Sequence, residues 1–177
     1  MKSLVTACMA LLASVATVGA KPNDKAPGDG GAAALISRYR AAHGLGPVKV
    51  DPILTRAARQ QAQAMAAAGV LSHDIAGGLN SRLRAVGYAN VPMAENVGAG
   101  HRSLQAAMES WQRSPGHQAN LLMSSATRVG IARVDAPGKP YGVYWALVLA
   151  AEPAGPRGSA EATGRSPFSG FGFSFGR

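Results

Sequence analysis

The sequence predicts one layered α/β domain, with helices on both faces of a small sheet. In the first half of the chain, apolar residues recur at helical spacing between good capping residues, most clearly after Asp51-Pro52. In the second half the pattern changes to two largely apolar stretches, residues 128–134 and 141–151, which are typical of strands. The Pro- and Gly-rich segment between these two stretches predicts a hairpin loop, and therefore an antiparallel pair.

The first 20 residues predict a secretory signal peptide. A basic start precedes an uncharged apolar run at residues 4–18, and small residues follow up to Ala20. We expect cleavage after Ala20. The run is shorter than the roughly 20 apolar residues of a transmembrane helix, so we expect no transmembrane segment and a secreted or periplasmic protein. The single cysteine, Cys8, lies inside this leader. The mature chain therefore forms no disulfide and depends on core packing.

The chain is strongly basic, with 18 Lys and Arg residues, 9 Asp and Glu residues and a net charge of +9. Positive charge favours contact with anionic surfaces such as envelope polymers and lipid head groups, but solubility and coding bias are the favoured explanation of the charge. The basic residues form no block of the kind that marks a nucleic-acid-binding arm, so we predict no nucleic-acid partner.

Residues 21–31 are rich in Gly, Pro and charged residues, which predicts a flexible linker before a domain at residues 32–152. A first helix is predicted over residues 32–43. A second helix begins with Asp51 as its N-cap and ends at Gly69. Its narrow, alanine-rich apolar stripe predicts a close approach to its neighbour.

Three shorter helices follow, each announced by a capping residue. Asn80 is predicted to cap the first, Ser103 the second and Ser114 the third, which has Pro115 at its first position. In the second of these helices the apolar residues recur at the i, i+3, i+4 and i+7 spacing that marks a core-facing side. The stretch at residues 141–151 is apolar throughout, which predicts a strand buried on both faces.

Residues 153–177 are rich in Gly, Ser, Pro and Ala, and too poor in aliphatic residues to form a core, so we predict a disordered tail. Four phenylalanines in the tail are unusual for such a segment. They could add a strand to a sheet edge or bind a hydrophobic partner, although an inert low-complexity tail is the favoured interpretation.

The residues that carry chemistry are His73, Glu95 and His117. His117 is predicted in the first turn of a helix, where the positive helix end disfavours imidazolium and leaves a neutral ring able to bind metal or act as a base. Glu95 could orient a histidine or join it as a ligand. The spacing of the three residues matches no diagnostic metal motif. Hydrogen bonding that ties loops together therefore remains the alternative.

The order of several short motifs resembles the CAP superfamily, the secreted cysteine-rich-protein and pathogenesis-related-1-like domains, in its cysteine-free bacterial form. The resemblance covers about 120 residues and rests on Leu71-Ser72-His73, Ala94-Glu95-Asn96-Val97, and the run from Trp111 through Ser114-Pro115-Gly116-His117 to Leu122. It implies a three-layer α-β-α sandwich of the α+β type with a small, mainly antiparallel sheet.

The resemblance also implies a central cleft in which two histidines and two glutamates can hold a divalent metal such as zinc. His73, Glu95 and His117 fall on three of these positions, which makes the two histidines the candidate metal ligands. Ser114 falls on the position of the second glutamate and is a poor zinc ligand. Asn96 and Ser114 are expected to line the same cleft.

Members of the family have been linked to lipid binding, protein interaction, defence and, occasionally, proteolysis. We favour a monomeric, non-enzymatic binding module for a small molecule, lipid or envelope component, since the mature chain has neither a cysteine nor a G-x-S-x-G elbow. One alternative is a hydrolase in which His73, Glu95 and His117 activate water. The other is an envelope interaction through the phenylalanine-rich tail.

Overall fold

The computed structural model describes residues 29–153. The predicted signal peptide, most of the predicted linker and the phenylalanine-rich tail lie outside these residues. The elements of the described part, in chain order, are α1 (Asp29–Ala41), β1 (Lys49–Val50), α2 (Pro52–Ala68), α3 (Leu79–Arg84), β2 (Met93–Ala99), α4 (Leu104–Arg113), α5 (Pro115–Leu121), β3 (Arg128–Asp135) and β4 (Val143–Ala150). Between residues 29 and 153, no helix combines the length and apolar character that crossing a membrane requires.

The four strands form one sheet in the order β1-β3-β4-β2. β3 and β4 are the antiparallel hairpin that the sequence predicts, and β2 runs antiparallel on the other side of β4. The two-residue β1 pairs parallel with β3. The sheet is therefore small and mainly antiparallel, as expected.

The central strand β4 divides the core into two halves. Its side chains alternate between the two faces of the sheet, as in any strand, and all eight of its residues are buried. One set packs with α1, α4 and α5, and the other packs with α2 and α3. The first set is Val143, Trp145, Leu147 and Leu149, and the second is Tyr144, Ala146, Val148 and Ala150. Burial on both faces confirms the predicted three-layer α-β-α sandwich.

Helix α2 has the predicted ends and lies unusually close to the sheet. Asp51 accepts hydrogen bonds from the first-turn backbone amides, and Gly69 ends the helix in the left-handed conformation at φ 74°. A Cβ atom on Gly130 of β3 would lie 2.1 Å from the carbonyl carbon of Leu54 and from the amide nitrogen of Thr55. Only glycine permits this contact, which explains the small residues along the helix.

On the opposite face, the buried side chain of Arg40 ties α1 to α5 and to the turn before β3. Its guanidinium donates to the carbonyls of Gly46 at 2.9 Å, Leu121 at 2.8 Å, Met123 at 3.0 Å and Ala126 at 3.0 Å. Arg40 is 0% exposed, and burial lowers the pKa of its guanidinium from the ordinary value. Backbone dipoles therefore hold this cation in place.

Helix α1 begins at Asp29, so the predicted linker ends earlier than expected. Residues 29–31 belong to the helix because the adjoining Ala32 and Ala33 pack into the core, which outweighs the poor helix propensity of the glycines. The helix ends at Ala41 rather than at residue 43.

Three further differences separate the prediction from the structure. Helix α3 begins at Leu79 after Gly78, so Asn80 lies inside the helix and does not cap it. Strands β1 and β2 were not expected. β1 has only two residues, and Glu95, Asn96 and Gly98 interrupt the apolar pattern of β2.

Candidate ligand-binding cleft

The candidate site lies at strand β2, where the two helical layers meet at the edge of the sheet. Adjacent residues of a strand point to opposite faces. Glu95 is paired with Val148 and so faces the α2 and α3 layer, whereas Asn96 is paired with Leu147 and faces the α4 and α5 layer. Two consecutive polar residues thus reach both layers.

Glu95 is 6% exposed and its two carboxylate oxygens have separate partners. Oε2 accepts from Nη2 of Arg82 at 2.6 Å, and Oε1 lies 3.0 Å from Nδ1 of His73. Arg82, on α3, also donates to the carbonyls of Gly77 at 2.8 Å and Ala57 at 3.4 Å. The guanidinium therefore compensates the buried negative charge locally, and a metal is not needed for that purpose.

His73 lies in the loop between α2 and α3, and its ring is oriented by Glu95. An ionised carboxylate only accepts hydrogen bonds, so Nδ1 donates and Nε2 is the acceptor of the neutral ring. The loop is held from α2, where buried Gln61 donates from Nε2 to the carbonyl of Ser72 at 2.5 Å. The side chain of His73 is 51% exposed. A ligand can therefore contact the His73 ring.

His117 lies in the first turn of α5 and is held by its main chain. Asn96 donates from Nδ2 to the carbonyl of His117 at 3.0 Å, while Asn120 donates to Oδ1 of Asn96 at 2.9 Å and to the carbonyl of Glu95 at 3.1 Å. Burial lowers the pKa of the His117 imidazole from its ordinary value, and the electrostatic interaction with His73 lowers it further. The predicted preference for the neutral ring thus has burial as its first cause.

Between the two histidines lies an open cleft of about 520 Å³. Of the residues predicted from the sequence, His73, Glu95, Ser114 and His117 line it. Asn96 does not, because its side chain is buried against α5 and acts as a brace. Leu79 and Met93 add an apolar wall to the cleft.

Sequence reasoning missed the part that Arg82 plays at this site. In a chain with 18 basic residues, one more arginine on a short helix carries no signal of its own. Its importance depends on Glu95, and no local pattern links these two residues. If β2 had been predicted as a strand, the Asn96 side chain would have been expected on the face opposite to Glu95, since neighbouring residues of a strand point to opposite faces.

The donor set does not fit a resident metal. Across residues 29–153, no group of three or more His, Cys, Asp or Glu side chains is placed to hold an ion. The charge of Glu95 is already matched by Arg82, and Ser114 offers a neutral hydroxyl. His73 and His117 remain as two nitrogen donors, fewer than a zinc site uses.

Three known proteins resemble this chain over more than half of its length. The uncharacterized protein YkwD of Bacillus subtilis is 25% identical over 103 residues, covering 57% of this chain but only 40% of that protein. An outer surface protein from Borrelia burgdorferi superposes with a TM-score of 0.60 and 16% identity, over 68% of this chain and 89% of that one. An extracellular SCP-domain protein from Bacillus anthracis gives a TM-score of 0.60 and 24% identity, over 70% of this chain and 40% of that one.

The two solved structures show the fold, and family membership has a separate basis. The model of the cysteine-rich secretory protein family, CAP, matches residues 33–149, which span every element from α1 to β4. The same stretch holds the motifs around His73, Glu95 and His117. This chain therefore belongs to the CAP superfamily.

Proposed function

We propose that this protein is an exported binding module that takes the hydrogen-bonding head of an amphiphilic ligand between His73 and His117. The observation that carries the proposal is the pairing of two imidazoles from different layers across one open cleft of about 520 Å³. The ligand class is a lipid or a fragment of an envelope polymer.

The chemistry of the lining supports an amphiphilic ligand. Nε2 of His73 is an acceptor, since Nδ1 is committed to Glu95. Leu79 and Met93 offer apolar surface beside it. A few placed polar groups in a partly apolar cleft are typical of small-molecule sites.

Export is part of the proposal. The leader-like first 20 residues support it. The relatives described as an outer surface protein and as an extracellular protein point the same way.

A hydrolase is the second candidate, and the Glu95–His73 pair favours it. A carboxylate that orients a histidine by a 3.0 Å contact is the arrangement of a general base. The described residues place no hydroxyl or thiol within hydrogen-bond distance of either histidine ring, so such an enzyme would have no side-chain nucleophile there and would have to activate water directly. We therefore rank binding above hydrolysis.

The test is a titration followed by NMR signals of the histidine rings. The probes are dihexanoyl-phosphatidylglycerol, a monomeric short-chain lipid, and muramyl dipeptide, an envelope fragment. We expect saturable shifts of the His73 and His117 signals with one of them. In the double variant His73→Ala/His117→Ala both rings are gone, so binding is followed there through the backbone amide signals of β2 and α5, which also report on the unchanged protein. These amide signals should show no saturable shift in the double variant, whereas His43→Ala, which removes an exposed histidine at the end of α1, should bind as the unchanged protein does.

Two results would count against this function. If neither probe gives a saturable shift, or if the double variant binds as well as the unchanged protein, the cleft is not the binding site. Conversion of a probe into a product, lost in His73→Ala, would move the conclusion to the hydrolase.

A further inference from the structure

A second cavity, of about 400 Å³, lies at the other end of β2 and β4 from the histidine cleft. The cleft is at the Met93 and Ala150 end of this strand pair. The second cavity follows Ala99, where the amide of Gly100 donates to the carbonyl of Val143 at 2.9 Å. At about 3.3 Å per residue, the two ends are roughly 20 Å apart. The second cavity is thus a separate place on the molecule.

One wall of this cavity is a guanidinium held in a fixed orientation. Arg133, at the end of β3, contacts Oδ1 of Asp135 through Nη2 at 2.6 Å, and its guanidinium carbon lies 5.8 Å from the ring centroid of Trp145. Trp145 is itself fixed, since its Nε1 donates to the carbonyl of His101 at 2.7 Å. The side chain of Arg133 is 16% exposed, so its planar group is positioned before any ligand arrives.

The lining of this cavity also contains a free charge and an aromatic ring. Arg102, in the connection between β2 and α4, is exposed and makes no hydrogen bond or ion pair with any residue of the range 29–153. Tyr141, in the β3–β4 loop, is 48% exposed. Its ring packs edge-on against Tyr144, with 5.8 Å between centroids and an interplanar angle of 89°. The Tyr141 ring is therefore constrained in orientation, although it is exposed enough to contact a ligand.

We propose that this cavity binds an acidic saccharide, a sugar that carries a carboxylate. Arg102 receives the carboxylate, which a guanidinium can bind through two parallel hydrogen bonds. Tyr141 stacks on the apolar face of the sugar ring, and the exposed carboxylate of Asp135 accepts from its hydroxyls. Two guanidiniums against one carboxylate leave a small positive excess. This excess matches one charge per sugar better than it matches a phosphate-rich polymer.

The site is independent of the proposed function, since it shares no residue with the histidine cleft. The second cavity would allow this basic protein to bind a polyanionic glycan specifically, in addition to the non-specific attraction that comes from its net charge.

The experiment measures binding of trigalacturonate to the purified protein by titration calorimetry at physiological ionic strength. The fully methyl-esterified trisaccharide is the control ligand, because it keeps the rings and loses the charge. We expect saturable binding of the acid and none of the ester. Arg102→Gln should weaken binding about tenfold or more, since a charge-assisted hydrogen bond is lost, and Tyr141→Ala should weaken it about fivefold. Arg59→Gln, which removes the same charge from an exposed position on α2, should change the affinity less than about twofold.

Circular dichroism confirms that each variant folds, so that a lost affinity reports on the site. Equal binding of acid and ester, or equal weakening by Arg102→Gln and Arg59→Gln, would overturn the proposal. Absence of saturable binding by the acid would do the same. The variant His73→Ala/His117→Ala should retain the affinity for trigalacturonate, and its loss would place the sugar in the cleft instead.

Discussion

The two histidines of the cleft reach it from different layers and are held in different ways. His73, from the α2 and α3 side, is fixed through its ring by the carboxylate of Glu95 at 3.0 Å. His117, from the α4 and α5 side, is fixed through its backbone carbonyl by Asn96 at 3.0 Å, and its ring makes no hydrogen bond with the described residues.

The two histidines therefore differ in how firmly the fold holds their imidazole rings. The tautomer of His73 is set by the buried carboxylate of Glu95, so the orientation of its acceptor nitrogen Nε2 is fixed by the fold. His117 is held through its backbone carbonyl, and no hydrogen bond from the described residues fixes its ring. His73 can therefore present a fixed acceptor to a ligand, whereas the ring of His117 can adjust to it.

We expect the largest loss of stability from a substitution that disrupts the packing of α2 on the sheet, on the side from which His73 reaches the cleft. In Gly130→Ala the new Cβ meets the backbone of α2 at 2.1 Å, which neither chain segment can relieve without moving. We expect a loss of more than about 4 kcal/mol of unfolding free energy, or no folded protein. Urea denaturation measures it. Gly46→Ala, where an added Cβ meets nothing within 4 Å, should stay within about 0.5 kcal/mol and would otherwise invalidate the explanation.

The layer that supplies His117 can be broken at Arg40. Arg40→Met removes the donors to the carbonyls of Leu121, Met123 and Ala126 and leaves these acceptors buried. We expect a loss of about 2–4 kcal/mol, because each buried acceptor without a partner is costly, with some of the loss offset by removing a buried charge. Urea denaturation of Arg40→Met and of exposed Arg38→Met provides the comparison. Equal stabilities of the two variants would contradict the anchoring role.

A smaller effect is expected when only the ring support of His73 is removed. Glu95→Gln keeps the shape but leaves the buried guanidinium of Arg82 without a counter-charge, which should cost about 2 kcal/mol. Adding Arg82→Met to this variant should recover part of the loss. A double-mutant cycle on urea midpoints measures the coupling. Strictly additive losses would mean that the ion pair does not stabilise the fold.

The smallest effect is a pH dependence that distinguishes the two rings. The pKa of His117 is lowered by burial first and by His73 second, so its NMR midpoint should lie below the ordinary value of about 6.5. His73→Gln should raise the midpoint without restoring it fully. The midpoint of His101, whose pKa is lowered by burial and by Arg113, should not move in that variant. An unchanged His117 midpoint would mean that the two rings do not interact.

The lowered pKa of His117 also fixes the sign of its effect on stability. Well above a pH of about 6.5 neither the folded nor the unfolded state binds a proton at this ring. As the pH falls from about 6.5 toward the folded-state pKa, the unfolded state takes up a proton that the folded state refuses, so stability decreases. His117→Gln should flatten this part of the stability curve, as measured by thermal unfolding across that range.

Elements with local signals could be predicted, and those defined by distant partners could not. Helix α2 carries its own N-cap and terminal glycine, and the β3–β4 hairpin carries its own loop, so both are predictable from the sequence. β1 exists only because β3 lies beside it. The same distinction holds in the site. The family motifs bring His73, Glu95 and His117 together, whereas the partner of Glu95 on α3 and the orientation of Asn96 follow from tertiary packing.

The side chains that cover the free edge of β2 have a consequence for solubility. The carbonyl of Glu95 accepts from Asn120, and that of Val97 accepts from Nε1 of Trp111 at 3.0 Å. An exposed strand edge is a template for sheet-to-sheet aggregation, and at β2 two of the edge carbonyls are already occupied by side chains. A strand arriving at β2 from another copy would have to displace an asparagine and a buried tryptophan, so the fold resists polymerisation through this edge.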